Sequence, residues 1–228
     1  MTELRLLSYN VRSLRDDAQA VAAVIRACRP DVVAVQEAPR FLRWRSKRAA
    51  LARESGLVVA TADRPGGLMV MTTLAVKVVG TRFTLLPRTP KLHQRAVCVA
   101  DLELAGARWT VASIHLSLDA DERRRHLEPL WDAVSAPFGR LVVAGDVNER
   151  PQGDAWKALA ARLQDAYAVG PGGPGDTYHA RRPSKRIDAV FVDGGVEVIE
   201  CHAVGDVDGV EVASDHLPVL AVLRVVST

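Results

Sequence analysis

The chain has 228 residues, of which 48% are hydrophobic and 25% are charged, and its formal net charge is +3. This balance is typical of a folded globular protein and excludes a disordered chain. No apolar run reaches the ~18 residues of a membrane-spanning helix, and the N-terminus lacks a secretory signal pattern, so we expect one cytoplasmic, monomeric domain over residues 1–228.

Short apolar strands alternate with helical segments along the chain. The first half predicts strands at 4–10 and 32–36, helices at 16–28 and 41–54, and four or five strands between 57 and 115. The second half predicts helices at 121–134 and 155–163 and strands at 141–144, 187–192, 196–203 and 217–225. Pro129 should bend the third helix or mark its true start. The mixture predicts an α+β protein in which helices cover sheets that pack on each other.

The cysteines and the basic clusters have structural explanations. Cys28, Cys98 and Cys201 match neither a disulfide framework nor the paired spacing of a zinc site, and we expect the first two to be core residues. The mild basicity permits a polyanionic partner without requiring one. Basic clusters at 40–48 and 123–125 fall in predicted helices, where a solvated helix face is the simpler interpretation.

Four predicted strands run directly into polar or ionisable side chains. The residues at these strand ends are Asn10, Gln36 with Glu37, His115, and Asp146 with Asn148. A single polar strand end is common, whereas four after hydrophobic strands are not. We therefore expect the strand ends to gather at one edge of a sheet and build a site there.

The candidate site groups are mostly hard oxygen donors with two histidines: Asn10, Glu37, His115, Asp146, Asn148, Asp188, Asp215 and His216. Carboxylate and amide oxygens suit Mg²⁺ or Mn²⁺, whereas zinc prefers more histidine or cysteine. Glu37 and Asp215, supported by Asn10, are the candidate metal ligands. A magnesium site beside two histidines suits phosphoester hydrolysis. Taken singly, each residue also has a plain structural explanation, such as an ion pair between Asp188 and Arg186.

The order of these motifs along the chain carries a family resemblance. The motifs are Ser8-Tyr9-Asn10, Gln36-Glu37, Ser113-Ile114-His115-Leu116, Gly145-Asp146-Val147-Asn148, Arg186-Ile187-Asp188 and Ser214-Asp215-His216-Leu217-Pro218-Val219. This set resembles the endonuclease/exonuclease/phosphatase superfamily, which includes deoxyribonuclease I, from residue 4 to about residue 225. The resemblance implies a four-layered α/β sandwich, with two packed mixed β-sheets flanked by helices and the site at one sheet edge.

The resemblance also implies roles for the oxygen donors. Asn10 and Glu37 correspond to the metal-binding pair, and Asp215 corresponds to a further metal-linked or water-linked carboxylate. Asp146 corresponds to the group that orients or deprotonates the attacking water. Asn148 corresponds to an amide that binds the phosphate.

The histidines and one arginine receive roles in the same way. His115 and His216 resemble the two histidines that contact the scissile phosphate, and Asp188 resembles the carboxylate that orients His216. Arg95 lies where members of the family often carry a phosphate-facing arginine.

Two positions depart from the family pattern. Arg12 stands where the apurinic endonuclease branch carries an aspartate, so the sequence is more similar to the deoxyribonuclease I side. Ser113 replaces the asparagine often found two residues before the histidine, which leaves one hydrogen bond of the site unassigned.

A basic loop at 177–186 leads into the predicted Asp188 strand. Tyr178 is placed to stack on a base, and Arg181 and Arg182 to contact flanking phosphates, with a solvated hairpin as the alternative.

We predict a divalent-metal-dependent (Mg²⁺ or Mn²⁺) phosphodiesterase that hydrolyses nucleic-acid phosphodiester bonds by single-step attack of an activated water. The alternative is a phosphoesterase or phosphatase of the same mechanism that acts on a small molecule or a phospholipid head group. A binding module without catalysis is the third hypothesis. The two enzymes differ in salt dependence, because only a groove several phosphates long releases many counterions.

Overall fold

The computed structural model describes residues 3–61 and 65–225. The strands are β1 (Glu3–Asn10), β2 (Val32–Gln36), β3 (Val58–Val59), β4 (Met69–Thr72), β5 (Lys77–Leu85), β6 (Ala96–Leu104), β7 (Ala107–His115), β8 (Arg140–Asp146), β9 (Gln164–Asp165), β10 (Asp188–Val192), β11 (Val196–Ala203) and β12 (Val219–Val225). The α-helices are α1 (Ala18–Cys28), α2 (Trp44–Glu54), α3 (Ala120–Ala133), α4 (Asp154–Ala160), α5 (Ala166–Val169) and α6 (Val210–Ala213).

The strands form two six-stranded sheets. The first sheet has the order β11-β12-β1-β2-β4-β3, and the second has the order β5-β6-β7-β8-β10-β9. The pairs β1/β2 and β7/β8 are parallel, and the other paired strands are antiparallel. Both sheets are therefore mixed, as predicted.

The alternation of side chains along β1 explains how the layers stack. Leu4 and Leu6 belong to the core shared by the two sheets, whereas Leu7 and Tyr9 belong to the core beneath α1 and α2. Successive strand residues face opposite sides, so both faces of the first sheet are buried. The outer face of the second sheet is covered by α3 and α4, whose apolar residues join a third core. This arrangement is the predicted four-layered sandwich.

The register of the strands places site residues in one row. His115 pairs with Asp146 across β7 and β8, and Asp146 pairs with Asp188 across β8 and β10. In the first sheet, Asn10 pairs with Gln36 where β1 and β2 end. The carboxyl ends of the parallel pairs thus carry the site residues, as expected for open α/β sheets.

Helix boundaries depart from the sequence prediction in three places. The second helix begins at Trp44 rather than at residue 41, because Arg43 has a left-handed backbone with φ 59°. The fourth helix ends at Ala160, and the chain then turns into β9. Pro129 does not mark the start of α3, which begins after its N-cap Asp119 and continues through the proline to Ala133.

The cysteine prediction is confirmed, since Cys28 and Cys98 are buried thiols, and Cys201 is buried as well. Within residues 3–61 and 65–225, no helix is long and apolar enough to cross a bilayer.

Gly145 sets how closely β7 and β8 approach beside the site. A Cβ atom at this position would lie 1.9 Å from the carbonyl oxygen of Ile114, so Gly145→Ala must push the two strands apart. We expect a loss of about 1–3 kcal/mol in the free energy of unfolding, measured by urea denaturation. Gly80→Ala is the control, because its Cβ would meet nothing closer than 3.9 Å. Equal stability of the two variants would contradict this account.

Candidate active site

The site residues come from both sheets and are buried. His115, Asp146 and Asp188 form the row described above, Asn10 ends β1 of the other sheet, and His216 lies in the turn that precedes β12. Their exposed fractions range from 1% for Asp146 to 6% for His216. Their charges therefore act on one another in a weakly screened environment.

His216 is hydrogen-bonded to Asp188, the carboxylate to which the family resemblance gives the orienting role. Its Nδ1 lies 2.9 Å from Oδ2 of Asp188, which places the Nδ1 proton on that hydrogen bond and turns Nε2 toward Asp146, at 3.8 Å from its Oδ2. Asp188 is not paired with Arg186, because that guanidinium forms an ion pair with Asp165 at 2.9 Å. The plain ion-pair interpretation of Asp188 is therefore wrong.

Thr177 fixes the same carboxylate and was missed from the sequence. Its hydroxyl donates to Oδ2 of Asp188 at 2.6 Å and accepts the backbone N–H groups of Ile187 and Asp188 at 3.3 Å each. Thr177 is fully buried. The threonine was visible at the start of the basic loop, but no spacing rule indicates that this hydroxyl faces the aspartate.

The protonation states of His216 and Asp146 differ. Burial disfavours the charged imidazolium, but the carboxylate of Asp188 outweighs this cost and raises the pKa of His216 to about 10. Burial, and then the charge of Asp188, raise the pKa of Asp146 to about 7. Near neutral pH the site therefore combines a protonated imidazole with a carboxylate that exchanges its proton readily.

Asp146 contacts side chains from both sheets. Its Oδ2 accepts from Nδ2 of Asn10 at 3.1 Å and lies 3.3 Å from Nε2 of His115. Its Oδ1 accepts the backbone N–H of Asn148 at 2.8 Å. These contacts fix both carboxylate oxygens. The amide of Asn148 donates once to the Leu116 carbonyl at 3.0 Å, and an NH₂ group has a second donor for a substrate oxygen.

His115 is a neutral imidazole. Burial, and then the charge of Arg95, lower its pKa well below the usual value. Its Nδ1 is buried and has no hydrogen-bond partner among the described residues. The group can therefore donate or accept a hydrogen bond but does not supply a positive charge.

The three predicted metal ligands do not all come together. Asn10 Nδ2 lies 3.5 Å from Oε1 of Glu37, whereas Asp215 forms an ion pair with Arg12, whose Nε lies 3.4 Å from the Asp215 carboxylate. In the described part of the chain, the group whose ligand atoms all lie within 4.8 Å of one another is Asp146, Asp188 and His216.

The occupied hydrogen bonds decide which of these groups better fits a divalent cation. Asp188 and His216 already bond each other, and both oxygens of Asp146 accept N–H donors. Glu37 is half-buried, and among the described residues its carboxylate contacts only the Asn10 amide. Oδ1 of Asn10 accepts the backbone N–H of Arg12 at 3.1 Å, and a carbonyl oxygen keeps a second lone pair for an ion. Carboxylate and amide oxygens are the donors that Mg²⁺ and Mn²⁺ prefer, so Glu37, with Asn10 in support, fits the ion better.

The predicted substrate contacts lie on different sides of the site. Arg95 is only 8% exposed, and the charges of Asp146 and Glu37 act on it. The Tyr178 ring lies 5.0 Å from the His216 ring. Arg181 donates to the backbone of Glu211 in α6 and borders a cavity of about 380 Å³ that includes Arg12 and Asp215, while Arg182 is exposed in the same loop.

Ser113 explains the unassigned hydrogen bond. Its hydroxyl donates to the Val35 carbonyl at 3.2 Å and accepts from Nε2 of Gln36 at 3.1 Å. These bonds join β7 to β2 between the sheets. Ser113 therefore supports the sheet packing rather than contacting the site residues.

Comparison with known proteins identifies the family. Residues 7–216 match the Endonuclease/Exonuclease/phosphatase family, which is most of the chain. The chain belongs to this family. Its members hydrolyse phosphoester bonds, and the chain is a hydrolase of that class.

Solved structures share the fold at low sequence identity. An endonuclease/exonuclease/phosphatase from Bacteroides vulgatus has a TM-score of 0.80 at 20% identity, over 99% of this chain and 100% of that one. A mannosyl-6-phosphatase from Bacteroides thetaiotaomicron has a TM-score of 0.82 at 16% identity, over 97% and 99%. A humanized D. rerio TDP2 has a TM-score of 0.73 at 21% identity, over 97% and 99%. No curated protein matches the sequence.

The Thr177 hydroxyl offers a test of how Asp188 is held. Thr177→Val keeps the side-chain shape but removes a buried hydrogen bond to a charged group, so we expect kcat to fall by about 10- to 100-fold with KM unchanged. Thr177→Ser keeps the hydroxyl and should retain most of the activity. Turnover of bis(4-nitrophenyl) phosphate measures both variants. Equal loss in Thr177→Ser would show that the methyl group, not the hydroxyl, matters.

Proposed function

We propose that this protein is a divalent-metal-dependent phosphodiesterase that hydrolyses nucleic-acid phosphodiester bonds. The observation that supports this proposal is the presence of cations on two sides of the buried site. On one side, the charges of the buried Arg95 and of Arg40 act on His115. On the other side, Lys185 Nζ lies 5.9 Å from the Tyr178 ring, which in turn packs on His216.

Cations on two sides of the site fit a substrate with several phosphates. One phosphate group can be bound by a single cluster, whereas a nucleic-acid strand presents charges before and after the scissile bond. The half-buried Tyr178 ring adds a surface on which a base can stack.

The protonation states assign the chemistry to individual residues. Asp146 takes the proton of the attacking water at its carboxylate, for which a pKa of about 7 is well matched. As the water oxygen bonds to phosphorus, the bond from phosphorus to the leaving oxygen breaks, and that oxygen takes a proton from solvent. His216, held protonated by Asp188, stabilises negative charge that develops on the phosphate oxygens. His115 and Asn148 donate hydrogen bonds to the same phosphate. A divalent cation held by Glu37 and Asn10 would supply additional charge neutralisation.

A small-molecule phosphoester is the second candidate substrate. The observation that favours it is the shared fold with the mannosyl-6-phosphatase from Bacteroides thetaiotaomicron, which has a TM-score of 0.82 over 97% of this chain. The same catalytic residues would act in both cases, and only the substrate contacts would differ.

Cleavage assays separate the two candidates. We expect the protein to cleave supercoiled plasmid or a labelled single-stranded oligonucleotide in Mg²⁺ or Mn²⁺ but not in EDTA. His216→Ala should fold normally and lose about 10²–10⁴-fold in rate. The rate at low substrate should fall steeply with salt, because several phosphates are contacted. A folded enzyme that cleaves neither nucleic acid but hydrolyses a sugar phosphate would refute the nuclease proposal.

The pH profile tests the assigned proton positions. We expect kcat/KM to rise with pH through about 7, as Asp146 ionises, and to fall above about 10, as His216 loses its proton. Asp146→Asn should remove activity at every pH, whereas the exposed Asp208→Asn should keep the wild-type profile. A profile that declines steadily from pH 6 would contradict the assignment.

A further inference from the structure

All charged residues of the segment at 38–53 are basic. It contains no Asp or Glu, and its cations are Arg40, Arg43, Arg45, Lys47, Arg48 and Arg53. The sequence alone favoured a solvated helix face for this cluster. The structure places its first part outside the helix, in the loop that joins β2 to α2.

Two large apolar side chains project from this basic loop. Phe41 is 72% exposed and Leu42 is 83% exposed, although each costs free energy when it is left in water. Two adjacent, highly exposed apolar side chains are a candidate contact surface.

The loop is held in place rather than loosely attached. Arg48 is buried, and its guanidinium donates to the Pro39 carbonyl at 2.8 Å and to the Leu68 carbonyl at 3.0 Å. The backbone N–H of Ala38 donates to Gly67 at 2.7 Å. The Arg40 guanidinium lies 5.3 Å from the Phe41 ring. The apolar pair is thus presented to solvent by an anchored loop.

The loop also begins at the candidate site. Glu37, the proposed metal ligand, lies four residues before Phe41, and its Oε1 lies 3.5 Å from Nδ2 of the site residue Asn10. A phosphate backbone that enters the site would therefore pass close to the basic loop.

We propose that Phe41 and Leu42 form a wedge that enters the base stack of a duplex nucleic acid whose backbone lies along the basic segment. This inference rests on the proposed function and narrows its substrate to duplexes. Apolar wedges of phenylalanine or leucine flanked by arginines unstack one base step and bend the duplex, which would bring a phosphate toward a buried site.

A membrane surface fits the same residues less well. Binding in a bilayer interface needs a broad apolar helix face, but the exposed positions that follow on α2 are Arg45, Ser46, Lys47 and Ala49. Phe41 and Leu42 are of the residue types that enter base steps as apolar wedges. The guanidinium groups around them suit bidentate contact with phosphates.

The experiment uses a duplex that carries 2-aminopurine, whose fluorescence rises when the base unstacks, in EDTA so that no cleavage occurs. We expect the wild-type protein to raise the fluorescence. The double variant Phe41→Ser/Leu42→Ser should lose this rise and bind about tenfold more weakly. Leu74→Ser is the matched control, because Leu74 is 88% exposed in the loop between β4 and β5. All three proteins should have the same melting temperature.

The outcomes separate the wedge from the proposed function. Unchanged fluorescence and affinity in the double variant would overturn the wedge, even if the enzyme cleaves plasmid. Unstacking by a protein that cleaves no nucleic acid would support the wedge and refute the nuclease. Binding to phosphatidylglycerol vesicles that is lost in the double variant, with no duplex unstacking by the wild type, would overturn the wedge in favour of a membrane surface.

Discussion

The hydrogen bond from Asn10 to Asp146 joins the two halves of the sandwich at the site. It connects the last residue of β1 with the last residue of β8, across 136 positions of sequence, at 3.1 Å. Deeper between the sheets, Gln36 and Ser113 make a second polar connection. Buried polar groups are costly without partners, so these bonds fix how the sheets face each other. The site depends on this one relative position of the two sheets, which brings Asn10 to Asp146.

The same burial decides the charges of the site. Asp146 and Asp188 are two carboxylates in a region with little solvent, and such a pair resists carrying two negative charges. A protonated His216 lies near both, bonded to one and 3.8 Å from the other. The positive charge of His216 thus favours ionisation of the two carboxylates, and their negative charge in turn favours protonation of His216. Removal of any one of the three changes the protonation of the other two.

The fold was largely predictable, because strand alternation and polar strand ends are local properties of the sequence. The row from His115 to Asp188 follows from the register of buried strands. The start of α2 was not predictable, since nothing in the sequence marks Arg43 for a left-handed backbone. Thr177 was missed because its role depends on a contact with a residue eleven positions away.

The metal ligands show a further limit of sequence reasoning. Asp215 lies in the predicted motif, but its carboxylate meets Arg12, the residue that departs from the pattern of the apurinic branch. The pairing of Asp215 with Arg12 depends on the left-handed turn at residues 12–14, where three successive residues have positive φ. Such a turn is set by tertiary contacts, among them the hydrogen bond from the Ser13 N–H to the Glu37 carbonyl.

The strand register that aligns His115, Asp146 and Asp188 restricts changes in the strands more than changes in the loops. A slip by one residue in β7, β8 or β10 would turn every side chain of that strand to the opposite face, so the reacting groups cannot drift without loss of the core. The loops that carry Phe41 and Tyr178 lie outside the strands, and Tyr178 takes part only in isolated bridges to Lys185 and His216, so most of their side chains are not bound to a strand register. Descendants of this chain can therefore exchange one phosphoester for another by altering loops, while the chemistry stays with the sheet.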